Sequence, residues 1–258
     1  MGVESLLGMS WDQVFLVIGA GVLCGFVNTL AGSGSLISLP ILMFIGLPPN
    51  MANGTNRVGV FTQNLVTTST FHRKGILDIP LGLTVAIPTI AGSILGAFIV
   101  LELPDRAVEI VVGVVLFIML IPMWFNPKQW LEGKDLSNTR IRMWLRWLVF
   151  FFIGIYGGFI QAGVGIFLLA ALVLNTGCNL VKANAQKAMI NLVLTFFAMV
   201  VFFINGQIHW GIGITLALGN AIGGYLGSHW AVSWGPAFVR YVVMVVVIAA
   251  GAKLLFFS

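Results

Sequence analysis

Charge is the scarcest commodity in this chain. Only 8% of its 258 residues are charged, against 59% that are apolar, and the mean hydropathy is +1.04. A soluble domain carries about 25% charged residues, so a water-facing surface cannot be built from this composition. Cysteine is nearly absent: Cys24 lies in an apolar run and Cys178 beside an expected loop, which excludes a disulfide framework, a CxxC pair and zinc-ligand spacing. We take both as packing residues. The three histidines, His72, His209 and His229, fall at loops or block ends, and no metal-ligand cluster, Walker motif or nucleophile elbow is present. These gaps argue against an enzyme and leave no cofactor to expect.

What is abundant is apolar length. Runs near 20 residues recur throughout; that is the length needed to cross roughly 30 Å of hydrocarbon at about 1.5 Å per residue. The runs are continuously apolar rather than alternating, so they read as an all-α polytopic membrane protein and not as a barrel. The 31 glycines suit close helix packing and broken helices in lipid. Eight tryptophans, among them Trp11, Trp124, Trp130, Trp144 and Trp210, mostly flank the blocks as interfacial anchors. The net charge of +5 does not point to nucleic acid, because Lys128, Lys134, Arg140, Arg142 and Arg146 crowd one short stretch, as in a cytoplasmic loop. Residues Met1 to Ser10 hold Glu4 and no basic residue, unlike the start of a secretory signal.

The chain repeats itself. Ala31-Gly32-Ser33-Gly34 recurs as Ala162-Gly163-Val164-Gly165, and a gapless offset of 131 carries Ala52-Asn53 onto Ala183-Asn184, Gly75 onto Gly206, Gly82 onto Gly213, and Gly92, Leu95 and Gly96 onto Gly223, Leu226 and Gly227. The register runs from Ala31 to Val115, which falls on Val246. Two related halves in an apolar chain point to a transporter with its substrate where the halves meet.

Each half reads as five apolar blocks: Trp11–Leu30, Ser35–Leu47, Met51–Phe71, Ile79–Leu101 and Ala107–Phe125, then Arg142–Gln161, Ile166–Thr176, Val181–Ile204, Trp210–Ser233 and Ala237–Phe256. The expected organisation is a first membrane repeat over 11–125, a cytoplasmic linker over 126–141 and a second repeat over 142–257. Pro48-Pro49, Pro104, Pro127 and Pro236 fall at block edges, whereas Pro88 and Pro122 should kink the blocks that contain them. The second block of each half is too short to span. Either it forms, with the block before it, a re-entrant hairpin with a glycine tip, or it is a shortened span; we favour the hairpin. Each repeat thus has a Gly-tipped re-entrant or broken helix pair plus three spanning helices.

Basic residues set the orientation. His72-Arg73-Lys74 marks one loop as cytoplasmic, as is the central linker, while the loop matching the first, Asn205 to His209, has no Lys or Arg and comes out external. The same feature lies inside in one half and outside in the other, so inverted-topology repeats are expected, with both termini external.

Arg57 and Lys187 carry the functional argument. Each lies seven residues into matching blocks, about 10 Å deep and within roughly 5 Å of the midplane. Each costs at least about 2.5–3.5 kcal/mol on insertion scales, unless it snorkels or pairs with a backbone carbonyl. All eight acids sit in loops or at block ends: Glu4, Asp12, Asp78, Glu102, Asp105, Glu109, Glu132 and Asp135. A bound anion would remove the penalty. In the hairpin reading, helices starting near Ser35 and Ile166 present their N-termini at the midplane, where free N–H groups favour anions. Gly32, Gly34, Gly163 and Gly165 would let backbone approach a small oxyanion. Asn28, Asn53, Thr55, Asn56, Gln63, Gln161, Asn184, Gln186 and Asn191 add neutral polar groups that either line a site or join helices.

Two segments carry a family likeness. Gly25-Phe-Val-Asn-Thr-Leu-Ala-Gly-Ser-Gly-Ser-Leu-Ile-Ser-Leu-Pro40 with Ala52-Asn-Gly-Thr-Asn56 resembles the first signature of the TauE/SafE sulfite exporter family. Gly157-Gly-Phe-Ile-Gln-Ala-Gly-Val-Gly165 with Ala183-Asn-Ala-Gln-Lys187 resembles the second. The resemblance covers essentially the whole chain. It implies a multi-pass permease of a prokaryotic cytoplasmic (inner) membrane, often with eight membrane segments, moving sulfite, sulfonates or other sulfur-containing organic anions. It carries over to Gly32, Gly34, Asn53, Thr55, Gly163, Gly165, Asn184 and Gln186. Ser33 stands where a further glycine is common, and Gln186 replaces a small hydroxyl residue; both could tune which anion fits. The expected function is a secondary transporter of small sulfur-containing anions by alternating access. An anion channel, an uptake permease for another organic anion, and a membrane enzyme or assembly factor are the alternatives. The partners are the anion and the lipid bilayer; the sequence leaves the oligomeric state open.

Overall fold

In the computed structural model the described residues are 9–104, 106–107, 143–176 and 179–256, and among them every regular element is a helix. In chain order these are α1 (Trp11–Ala31), α2 (Ser35–Phe44), α3 (Pro49–Arg73), α4 (Ile79–Leu101), α5 (Met143–Phe159), α6 (Val164–Thr176), α7 (Leu180–Ile204) and α8 (Trp210–Phe256). Local chemistry sets the boundaries. Ser10 and Gln13 close a capping box at the start of α1. Pro49 opens α3, where its missing N–H costs nothing. Asp78 caps α4 by accepting from the Leu81 N–H at 3.1 Å, and Asn179 caps α7 by accepting from Lys182 N–H at 3.0 Å.

The offset of 131 extends to individual hydrogen bonds. After α3, the N–H groups of Lys74, Gly75 and Ile76 donate to the carbonyls of Thr70, His72 and Phe71; after α7, those of Asn205, Gly206 and Gln207 donate to Val201, Phe203 and Phe202. Gly75 and Gly206 both have φ of 68°, a left-handed conformation that favours glycine.

The halves interlock. α1 packs most heavily on α8 and runs parallel to it: Gly21 and Gly25 meet Leu216 to Asn220, and Gly227 meets Phe26 and Thr29. The matching pair, α4 and α5, packs in the same way, with Gly154 on Thr89 and Gly158 on Ser93. The matching helices α3 and α7 run antiparallel. Phe61 stacks near Phe196 with ring centroids 5.9 Å apart, while Gly54, one turn or more earlier, meets Phe202.

Polarity is distributed outside in. Phe15, Phe44, Ile87, Phe152 and Ile204 are exposed. Inside, Asn28 donates to Gln63 at 2.5 Å, Gln63 to Thr29 at 2.9 Å, Ser38 to Asn56 at 2.6 Å and Asn56 to Ser35 at 3.0 Å. An apolar exterior around a hydrogen-bonded interior suits lipid and not water. Helices α1, α4 and α7 are long and apolar enough to cross a membrane. α2 and α6, with 10 and 13 residues, reach about 15 and 20 Å and are too short.

One boundary differs from expectation. The blocks Trp210–Ser233 and Ala237–Phe256 form a single helix that runs through Pro236. Proline removes one helical hydrogen bond, which bends a long helix as readily as it ends one. The block Ala107–Phe125 beyond its first residue, Pro122, the linker 126–141 with its basic residues, Arg142, Glu4 and Cys178 lie outside the described residues.

The small-residue seams yield a direct test. A Cβ on Gly96 or Gly158 would lie 1.9 Å from the carbonyl oxygen of Ile155 or Ser93, whereas Gly19 has nothing within 4 Å. Gly96→Ala and Gly158→Ala are expected to lower the detergent-solubilised melting temperature by about 4–10 °C, as overpacking costs of roughly 1–3 kcal/mol imply. Gly19→Ala should leave it unchanged, and equal behaviour of all three would contradict the packing.

Candidate functional site

Helices α1 and α5 both stop inside the protein, at the Gly-rich turns. A helix end leaves up to four carbonyls without intrahelical partners, and lipid supplies none. In each case the partner is a cation from the other half. Arg57, fully buried on α3, donates from Nη2 to the Gly158 carbonyl at 2.5 Å and from Nη1 to that of Gly157 at 3.2 Å. Lys187, buried on α7, donates from Nζ to the carbonyls of Thr29 at 2.8 Å and Asn28 at 2.9 Å. These acceptors occupy the last turns of α5 and α1, the negative ends of the helix dipoles.

The matched asparagines extend the crossing. Asn53 donates from Nδ2 to the Phe159 carbonyl at 2.7 Å and accepts from Arg57 Nη2 at 3.3 Å, while Asn184 donates to the Leu30 carbonyl at 3.4 Å. The Phe202 ring lies 4.6 Å from the Arg57 guanidinium carbon, a cation–π contact.

The structure therefore corrects one premise: the two cations are not without partners. Backbone carbonyls, one of the alternatives open at the sequence level, hold both. Carbonyls solvate a charge without cancelling it, however, and no Asp or Glu is buried among the described residues. Arg57 Nε has no acceptor among the described residues.

The glycine turns meet back to back. Gly165 N–H donates to the Gly32 carbonyl at 3.1 Å, and a Cβ on Gly32 would fall 2.3 Å from the carbonyl carbon of Gly165. Gly34 packs on the Cys24 carbonyl, 2.1 Å from its would-be Cβ. Gly32 and Gly163 have φ of 76° and 72°, as does Gln161 at 65°, unusual for a residue with a side chain. Chain-to-chain approach and positive φ thus account for these glycines in the structure. α2 begins at Gly34 without a side-chain cap.

Several buried polar atoms have no partner among the described residues: Ser33 Oγ and Gln161 Oε1 in these turns, Asn184 Oδ1 on the asparagine that reaches Leu30, and, away from the turns against Gly82, both amide atoms of Gln186. Each costs about 1–3 kcal/mol when left unpaired, so such atoms mark places for water or a ligand. Gln161 spends its Nε2 on Thr195 Oγ1. Thr55 differs, since its Oγ1 accepts from the His209 N–H at 2.9 Å. Of the histidines, His209 Nδ1 accepts from Ile212 N–H at 3.3 Å, His229 lies 3.3 Å from Lys74 Nζ, and His72 is exposed. Cys24 packs against Ser38, 3.4 Å from its Oγ. Sequence reasoning missed Phe202, Thr195 and Tyr156, whose hydroxyl donates to the Ala162 carbonyl.

Broken helices cross-capped by buried cations, inside an apolar shell, define a multi-pass helical membrane protein with a polar interior shared by two halves. The comparisons narrow the class. The chain belongs to the sulfite exporter TauE/SafE family, which matches residues 17–254. It is 28% identical over 238 residues to a Sinorhizobium protein named "Probable membrane transporter protein ORF9", covering 92% of this chain and 90% of that one. It is 26% identical over 245 residues to a "Probable membrane transporter protein" of Haemophilus influenzae, covering 95% of each. Identity is also 26% over 238 residues with "Probable membrane transporter protein YfcA" of Escherichia coli K12, covering 92% of this chain and 87% of the other. No solved structure matches.

The crossed caps make a stability prediction. Lys187→Met leaves the Thr29 carbonyl without its lysine donor and the Asn28 carbonyl with the Gly32 N–H alone, and should destabilise the protein by about 1–3 kcal/mol in detergent. Lys187→Gln keeps a donor and should lose less. Melting curves that do not distinguish the two would contradict the capping role.

Proposed function

We propose that this protein is a secondary transporter of small sulfur-containing anions, sulfite or an organosulfonate, working by alternating access around the cationic centre. The observation that carries the proposal is the pair of buried cations, Arg57 at the end of α5 and Lys187 at the end of α1, solvated only by neutral groups among the described residues. A small oxyanion entering this interior would meet positive potential, and Arg57 Nε, Ser33 Oγ and Gln186 Nε2 are buried donors left without partners among the described residues. Gly32, Gly34, Gly163 and Gly165 serve this interior by letting the turns pack, since the Gly32 and Gly165 N–H groups already donate to the Asn28 and Gly32 carbonyls. Asn53, Asn184 and Gln161 are the further polar groups we assign to it. The family description favours sulfite among such anions.

The same proposal takes the halves as inverted repeats and the α1–α2 and α5–α6 pairs as re-entrant hairpins. The antiparallel run of α3 and α7 supports the first, because corresponding elements of inverted repeats point in opposite directions. The shortness of α2 and α6, together with the contact between their turns, supports the second. With the loop at His72-Arg73-Lys74 facing the cytoplasm, the protein would sit in a prokaryotic inner membrane with its N-terminus external; because α8 is one unbroken helix from Trp210 to Phe256, the return crossing that an external C-terminus requires is not formed.

Flux measurements test the reading. In proteoliposomes, wild type should move sulfite down its gradient, and Lys187→Arg should retain that flux. Lys187→Gln, which keeps donors to the carbonyls but removes the charge, should lose at least about tenfold, equivalent to about 1.4 kcal/mol of anion stabilisation. Absence of sulfite flux in wild type, or full flux in Lys187→Gln, would overturn it.

A further inference from the structure

The two halves differ at one place where their sequences match. On the offset of 131, Thr55 corresponds to Gln186, and the loop from Gly206 to Ile212 corresponds to that from Gly75 to Leu81. In the first of these places the loop is shut onto the helix. His209 N–H donates to Thr55 Oγ1 at 2.9 Å, and the Gln207 carbonyl presses on α3 so closely that a Cβ on Gly54 would come within 1.9 Å of it.

At the matching place the loop stands away. Gln186 is 1% exposed, yet neither of its amide atoms finds a partner among the described residues. It lines a cavity of about 520 Å³ walled by Gly75 to Leu81 and Lys182. Lys182 is exposed and lies four residues before Gln186 on α7, on the same face one turn nearer the helix start. Lys187 follows Gln186 directly. The cavity therefore joins an exposed cation to an unpaired buried amide, on a helix whose next residue, Lys187, turns its charge to the end of α1.

We propose that this cavity is the access vestibule for a small oxyanion, with Lys182 drawing the anion in, Gln186 the first buried donor it meets, and the Gly75–Leu81 loop its gate. The proposal rests on the transport reading above and adds a side, a path and a moving part to it. The volume falls in the range of ordinary ligand pockets, about 300–1,000 Å³, and holds a sulfite or an organosulfonate with water. A cation at the mouth of a low-dielectric cleft raises the local concentration of anions. The Asp78 carboxylate also lines the cavity, where its oxygen accepts from the Leu81 N–H at 3.1 Å. The shut place tells what closure looks like here. Asp78 matches His209 on the offset of 131, so the gate closes when the Asp78 N–H docks on Gln186 Oε1, as that of His209 docks on Thr55. The loop directly follows His72-Arg73-Lys74, so the open vestibule faces the cytoplasm under the positive-inside rule.

The test uses the full chain with Cys24 and Cys178 replaced by Ser, carrying Gln186→Cys or Thr55→Cys in oriented membrane vesicles. A membrane-impermeant maleimide should label Gln186→Cys about tenfold faster than Thr55→Cys, since thiol reactivity follows access. Labelling should occur from the cytoplasmic side only, and methanesulfonate, a thiol-inert member of the anion class, should slow it. In proteoliposomes of the otherwise native chain, Lys182→Gln should raise the half-saturating sulfite concentration about fivefold or more without lowering the maximal rate, with Lys182→Arg restoring it. Equal labelling of the two positions, labelling from the outer face, no slowing by methanesulfonate, or an unchanged half-saturation in Lys182→Gln would overturn the vestibule. Wild type that moves no sulfite while Gln186→Cys labels as described would instead overturn the sulfite reading and leave the vestibule standing.

Discussion

A cation from each half holds the open end of a helix in the other half, and the rest of the structure depends on that exchange. Ending α1 and α5 inside an apolar shell exposes carbonyls that no solvent can satisfy, and several unpaired groups at several kcal/mol each in lipid would be prohibitive. Lys187 serves Asn28 and Thr29, and Arg57 serves Gly157 and Gly158. Neither half can close its own broken helix, so neither is complete without the other. The reciprocal packing of α1 on α8 and of α5 on α4 enforces the same dependence. Once both ends are held, the glycine turns can touch, and Gly32 and Gly165 do so at a distance that no side chain permits.

Neutral caps also suit a carrier in the proposed cycle. Two buried carboxylates would hold the cations as firmly and would leave nothing for an anion to do. Carbonyls keep Arg57 and Lys187 tolerable when the centre is empty, yet leave the charge available when an anion arrives. Binding is then favourable without being irreversible, a condition that any carrier must meet in order to release its cargo. The unpaired atoms of Gln186, Asn184, Gln161 and Ser33 fit the same logic, since they are costly when empty and repaid by a ligand or water.

Much of this was legible in the residues. The offset of 131 located matching helices and even matching terminal hydrogen bonds after Arg73 and Ile204, because glycine at Gly75 and Gly206 is demanded by the same left-handed turn. That Arg57 and Lys187 lie inside the protein was legible from their positions within apolar blocks, and both are buried. Their partners were not legible. A carbonyl exists at every residue and leaves no mark in sequence, so nothing distinguished Gly157 or Thr29 as an acceptor. The roles of the tip glycines were likewise ambiguous, since close approach to another chain segment and close approach to a ligand require the same absence of a side chain. Pro236 read as a boundary because proline ends helices as often as it bends them, and only the surrounding fold decides which. The difference between Thr55 and Gln186 was visible as a departure in residue type, but a gate shut at one and open at the other is a matter of conformation.

The central claim is that an uncancelled positive centre receives an oxyanion where the halves meet. Anomalous diffraction from crystals grown with selenite, the heavier congener of sulfite, locates the ligand by its selenium. The account predicts a peak in the interior within hydrogen-bond reach of Arg57 Nε, Lys187 or Gln186. Peaks confined to the exposed loops, or none at all at saturating selenite, would contradict it.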